Sequence, residues 1–449
     1  MNDEADTGTA AGPGTRTLLV TGSGGAGRTT VAAATALAAA RQGSRVLLLS
    51  AEPRSVLEAV LGTPLDPAGT SRVPVAGAGG LWVTRADADE EFRAQVTQLQ
   101  ERGRAALELT GAEPLDADEL TPLPGAEAFA LLRALCGDRL DGAAHAARSP
   151  LGAPWDLVVA DLPPVRQALG LLALPEQLRR YLRRLLPPEK QAARALRPLL
   201  AQLAGVPIPA QVLYATAARW DAELARAQRV IGAPGTSVRL VTEPGSGAPD
   251  AVRAARAGCA LYGLRVDAVL ANRVLPTGST DDWLAGLSGQ QQSVLKDLRA
   301  ADGAAYGAAL CELPHLGRDP RGPADLALLA PPPDLPYGPC GPAAPAEPSA
   351  PAVPPGPVVR PLPGGAVLGE VTDQIAEDGL LHWLLPLPGA ARETLELVRR
   401  GDELIVGVGP YRRLLPLPSA LRRCRVVGAA LAEGVLRVRF APEPGLWPS

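Results

Sequence analysis

The stretch TLLVTGSGGAGRTTVAAATALAAARQGSRVLLLSAEP, residues 17–53, leaves this chain few ways to fold. Residues 17–21 and 45–50 are short apolar runs of the kind a parallel sheet buries on both faces. Between them lie a glycine-rich loop and an alanine-rich segment, 28–42, that favours helix. Similar apolar runs recur at 157–161 (LVVAD), 211–216 (QVLYAT), 238–242 (VRLVT) and 266–271 (VDAVLA), with helical stretches between them. Strands that alternate with helices predict an α/β domain built on a parallel sheet.

The domain plan follows from shifts in composition. Residues 1–16 are polar and acidic, with no apolar signal-peptide core, and are expected to be a disordered tail. The α/β domain is expected over 17–330. Helical regions near 90–148 and 165–204 exceed ordinary crossover length, so a helical subdomain inserted at about 90–204 is expected above the sheet. Twelve prolines fall between Pro331 and Pro357, which makes 331–358 an extended linker. Beyond it, TLELVRRGDELIVGVG (394–409) alternates as a hairpin about Gly401 and Asp402, and GVLRVRF (434–440) sets Leu436, Val438 and Phe440 against Arg437 and Arg439. Short strands with Gly/Pro turns predict a small all-β sandwich over 359–441 and a tail at 442–449.

Composition narrows the function. A formal charge of −3 predicts no general attraction to nucleic acid or to an anionic membrane. No uncharged apolar run approaches the ~20 residues of a transmembrane helix, so no integral membrane segment and a cytoplasmic location are expected. Cys136, Cys259, Cys311, Cys340 and Cys424 are scattered, with no C-x-x-C pair and no histidine at metal-ligand spacing. Two lysines stand against forty-two arginines, a bias expected of a GC-rich genome.

The loop Gly22-Ser23-Gly24-Gly25-Ala26-Gly27-Arg28-Thr29 fits G-x-x-x-x-G-K-[ST] except at Arg28, and it lies between a predicted strand and a predicted helix. Glycines let backbone N–H groups curl around a phosphate, and the helix N-terminus adds partial positive charge. Gly22 to Gly27, Arg28, Thr29 and Thr30 are therefore the candidate nucleotide-binding residues, with the Thr29 hydroxyl as a candidate Mg²⁺ ligand.

With VLLLSAEP after it, this loop resembles the deviant phosphate loop and first switch of the ArsA-type ATPases, a SIMIBI P-loop group that includes arsenite-pump and tail-anchored-protein targeting ATPases. DLPPVRQALGLLALP (161–175) is similar to that family's second switch, LPGAEAFALLRAL (123–135) to its P-G-x-D-E helical segment, and ANRVLP (271–276) to its nucleotide-base loop. The resemblance covers about 17–330. It implies ATP and Mg²⁺ as cofactors, Asp161 holding Mg²⁺ through water, Asn272 at the adenine, and a protein client or effector at the 90–204 helices. It also implies a dimer, as a homodimer or with a related ATPase, that opens and closes with ATP and ADP.

The departures from the family pattern fall on the catalytic parts. Ser23 stands where the family carries a lysine that crosses the dimer. Arg28 replaces the loop lysine with a bulkier planar fork. Glu52 stands where an aspartate positions the attacking water, and Leu162, Val165 and Arg166 replace Thr, Thr and Gly. Arg28 and Glu52 are thus the candidate catalytic residues, placed where small displacements cost much rate. A slow ATPase switch and a catalytically degenerate regulator of an intact paralogue both remain open. The C-terminal HWLLPLPGA (382–390) and GAALAEGVLRVRF (428–440) resemble the small heat-shock (α-crystallin-like) domain. That likeness adds a third reading, chaperone-like binding through the sandwich.

Overall fold

A computed structural model describes residues 15–65, 70–72, 79–110, 115–121, 125–136, 155–185, 209–301, 309–331 and 368–443. Most of the expected tails and linker, and residues 137–154 and 186–208 of the expected helical insertion, lie outside these.

The first half follows the strand–helix alternation. In order come β1 (Arg16–Gly22), α1 (Arg28–Arg41), β2 (Val46–Ser50), α2 (Arg54–Leu61), β3 (Thr70–Arg72), β4 (Leu81–Arg85), α3 (Ala88–Thr110), α4 (Ala126–Cys136), β5 (Leu157–Asp161) and α5 (Val165–Leu185). Then come α6 (Pro209–Ile231), β6 (Thr236–Thr242), α7 (Ala248–Leu261), β7 (Val266–Val274), α8 (Asp282–Ala301), β8 (Ala309–Pro314) and α9 (Gly322–Leu328). The strands form one sheet in the order β3-β4-β2-β5-β1-β6-β7-β8. Seven run parallel, and only the edge strand β3 is antiparallel to its neighbour.

Every residue of β1 is buried, because helices cover both faces of the sheet. Leu18 and Val20 join a core with Val31, Ala34 and Leu37 of α1, whereas Leu19 joins the opposite core with Leu131 of α4 and Leu169 of α5. This is the period-2 alternation of a strand dividing its side chains between two layers.

One expected strand is corrected. QVLYAT, 211–216, lies inside α6. A six-residue apolar run does not by itself distinguish strand from helix, and here the residues that follow, AARWDAELARAQ, favour helix. Among the described residues no helix is long and apolar enough to cross a membrane.

The C-terminal region is all antiparallel β. Strands β9 (Glu370–Gln374), β10 (Leu380–Pro386), β14 (Cys424–Ala432) and β15 (Val435–Pro442) form a sheet in the order β14-β15-β10-β9. β11 (Leu395–Arg400), β12 (Glu403–Val408) and β13 (Tyr411–Pro416) form the second sheet. The β11–β12 hairpin turns at Gly401, whose φ of 58° is left-handed. Leu436, Val438 and Phe440 are buried while Arg437 and Arg439 are exposed, as the alternation required. They pack with Trp383, Leu404 and Val406, and that core is continuous with the α5 side of the large sheet.

Candidate phosphate-binding site

The site is assembled at the C-terminal ends of β1, β2, β5, β6 and β7, where their connecting loops converge. β1 ends on Gly22, which must lack a side chain: a Cβ there would lie 1.8 Å from the Val241 carbonyl oxygen of β6. The next residue donates its N–H to that same carbonyl at 3.0 Å, fixing where the loop leaves the sheet.

The loop turns into α1 at Gly27, whose φ is 83°, and no side chain caps the helix. The first N–H groups of α1 are thus left for a ligand. Behind the loop, two residues of β7 grip its carbonyls. Asn272 donates from Nδ2 to the Ala26 oxygen at 2.8 Å, and Arg273 donates from Nη1 to the Gly25 oxygen at 3.0 Å. Because N–H and C=O of a trans peptide point in opposite directions, the N–H of Gly27 faces away from Asn272. Arg273 has a φ of 60°, uncommon for a side chain of its size, at a point where the β7–β8 register shifts. Gln291 of α8 fastens this bulge, accepting from the Leu275 N–H at 2.8 Å and donating to the Arg273 carbonyl at 3.2 Å.

Across the loop, Asp161 ends β5 and is buried. Burial pushes its carboxyl up to about 6, against hydrogen bonds from Thr29 and Ser50 and the positive charge of Arg28. The Ser50 hydroxyl donates to Oδ2 at 2.9 Å and itself accepts the Glu52 N–H at 3.1 Å. Oδ1 is buried with no hydrogen-bond partner among the described residues. A bare, buried carboxylate oxygen beside a threonine hydroxyl suits a hard divalent cation, so Thr29 and Asp161 fit Mg²⁺.

Arg28 reaches the segment that follows β5. It donates to the Leu162 carbonyl and lies 4.0 Å from the Glu52 carboxylate. The segment after Asp161 is held at two more points: Thr21 donates to the Pro163 carbonyl at 2.7 Å, and the Leu162 N–H to the Val20 carbonyl at 2.9 Å. Beside the loop a cavity of about 640 Å³ is lined by Glu243, Ser246, Arg273, Leu275, Gln291 and His315, among others.

The fold thus brings Gly22, Ser23, Gly24, Gly25, Ala26, Gly27, Arg28, Thr29, Thr30, Glu52, Asp161 and Asn272 to one end of the sheet. Asn272 contacts the loop backbone directly. Sequence reasoning missed Ser50 and Arg273. Ser50 carried a weak signal as a hydroxyl ending an apolar strand, and Arg273 lay within ANRVLP, the stretch that resembles the nucleotide-base loop. Among the described residues no group of three or more His, Cys, Asp or Glu is placed to hold a metal.

Residues 15–313 match the family described as anion-transporting ATPase. The chain belongs to that family. Residues 378–440 of this anion-transporting ATPase family member match a second one, the HSP20-like domain found in ArsA. The chain is 52% identical to an uncharacterized protein of Streptomyces coelicolor, covering 96% of this chain and 99% of the relative. It is 33% identical to a protein of Mycobacterium tuberculosis, over 97% and 98%. A putative arsenical pump-driving ATPase of Aquifex aeolicus is 23% identical, over 91% and 95%.

Proposed function

We propose that this protein is a cytoplasmic, ATP-binding switch that hydrolyses ATP slowly, with nucleotide held by Gly22–Thr30 and Mg²⁺ by Thr29 and Asp161. The observation that carries the reading is the buried, unpartnered Oδ1 of Asp161 beside Thr29, under the uncapped N-terminus of α1. The cavity lined by Arg273, Leu275 and Gln291 is the place for the nucleoside, next to Asn272. Bound Mg²⁺ would neutralise phosphate charge and align the phosphoryl group. The loop N–H groups would bind phosphate oxygens, and Glu52 would orient the attacking water.

Slow turnover follows from Arg28. Its charge is engaged by Leu162 and Glu52, so a phosphate must compete for it. Phosphate release by the purified full-length protein, with and without Mg²⁺, tests the reading. The expected result is slow, Mg²⁺-dependent release that Asp161→Ala abolishes; release no greater than in that variant would overturn hydrolysis.

The same engagement of Arg28 favours a second reading, in which the chain binds ATP without turnover and regulates a related ATPase in a heterodimer rather than a homodimer. Nucleotide binding by calorimetry without phosphate release would select it. The domain boundaries that go with either reading are 17–330 for the ATPase, with its helical insertion at about 90–204, and 359–441 for the sandwich. A protein client held by the sandwich is tested by deleting 359–449; unchanged suppression of client aggregation would exclude it.

A further inference from the structure

Helix α5 has two jobs, one at each of its ends. Its first residue, Val165, follows the Asp161–Pro164 segment held by Arg28 and Thr21. Its later turns are gripped by the C-terminal sandwich. Arg180 makes a two-pronged contact with Glu403 of β12, at 2.9 and 2.7 Å. Glu176 meets Arg413 of β13 at 3.1 Å, and Arg413 also donates to the Leu261 carbonyl at the end of α7 at 2.9 Å. These grips lie eleven to fifteen residues beyond Val165, about 17–23 Å along a helix.

Between the two ends stands Pro175, inside the helix. Proline lacks the N–H that would bond one turn back, so a helix bends there at low cost. The sandwich spans that weak point. Tyr411 of β13 and Leu169 in the first half of α5 lie against the same point of α7, where a Cβ added to Gly258 would meet both at 2.7 Å. Arg413 and Glu403 hold the second half, and the Tyr262 hydroxyl fixes β13 by donating to the Arg412 carbonyl at 3.1 Å.

We propose that the sandwich is a splint on α5 across Pro175, which makes its docking and the occupancy of the phosphate site opposing, linked events. The inference rests on the phosphate-site reading above. A bound phosphate competes with Leu162 for Arg28, removes one of the three ties on the segment that leads into α5 while those from Thr21 and to Val20 stay, and eases bending of the helix; a bent helix no longer matches both halves of the splint. Linkage is reciprocal, so a weakened splint strengthens nucleotide binding by the same factor that nucleotide weakens docking.

The test uses the full chain and Mg²⁺ with a non-hydrolysable ATP analogue. Amide exchange in 403–416 is expected to speed up on adding the analogue. Arg180→Glu is expected to tighten binding about fivefold by calorimetry, and the milder Glu403→Gln about twofold, with circular dichroism confirming that both variants fold. A wild-type protein that binds the analogue with unchanged exchange in 403–416, and variants that bind it with wild-type affinity, would overturn the splint while leaving the site intact. A wild-type protein that binds no nucleotide would overturn the site reading and the splint together.

Discussion

Ser50 and Arg273 show how single residues complete the site. The Ser50 hydroxyl ties the Asp161 carboxylate to the backbone of Glu52, so the acid that ends β5 and the acid just after β2 share one positioning group. Arg273 sets two hydrogen bonds against a left-handed backbone. Arg273→Ala should keep the unfavourable φ and lose both bonds, and is expected to cost about 1–2 kcal/mol in urea denaturation. Arg273→Gly loses the same bonds but relieves the backbone, so its stability should stay nearer wild type. Both variants should bind nucleotide more weakly by calorimetry, because the Gly25 carbonyl is released in each. The buried thiols should be inert. Burial pushes Cys136 up to about 11 and Cys259 up to about 12. Iodoacetamide at pH 8 should therefore leave both unmodified in the native protein and modify them after unfolding, as read by mass spectrometry.

Among the elements, α5 and α7 carry the join between the large sheet and the sandwich. Two glycines test how tightly it is packed. Gly258 on α7 faces Leu169 and Tyr411, which a Cβ would meet at 2.7 Å, whereas a Cβ at Gly170 on α5 has open space. Alanine gains about 1 kcal/mol of helix propensity over glycine at either position. Overpacking at Gly258 costs about 1–3 kcal/mol, so Gly258→Ala is expected to be destabilising overall and Gly170→Ala stabilising. Urea denaturation of the pair should show opposite signs; equal gains would mean that the join is loosely packed.

For the molecule as a whole, the Arg180–Glu403 contact also makes the join sensitive to acid. The hydrogen bond from Arg180 holds the Glu403 carboxyl below its ordinary 4.5. Its contribution is therefore present above that value and is lost as the pH falls through the depressed one. The stability difference between wild type and Glu403→Gln should be constant near neutral pH and vanish under acid, as thermal unfolding at a series of pH values would show.

Patterns read along the chain predict the parallel sheet, the glycine loop between its first strand and helix, and the antiparallel C-terminal region. Those features rest on local periodicity and on glycines whose spacing is read along the chain, as in 17–30 and 434–440. Those patterns misplaced 211–216, because a short apolar run satisfies a strand and a buried helix equally. The packed fold alone shows that Ser50 holds Asp161, that Arg273 holds Gly25, that Arg28 is engaged by Leu162 and Glu52, and that the sandwich grips α5. Each of these joins residues far apart in the chain through one or two hydrogen bonds or ion pairs. Such contacts leave no periodic trace in a sequence, because their partners are set by which strand ends and helix faces the fold brings together.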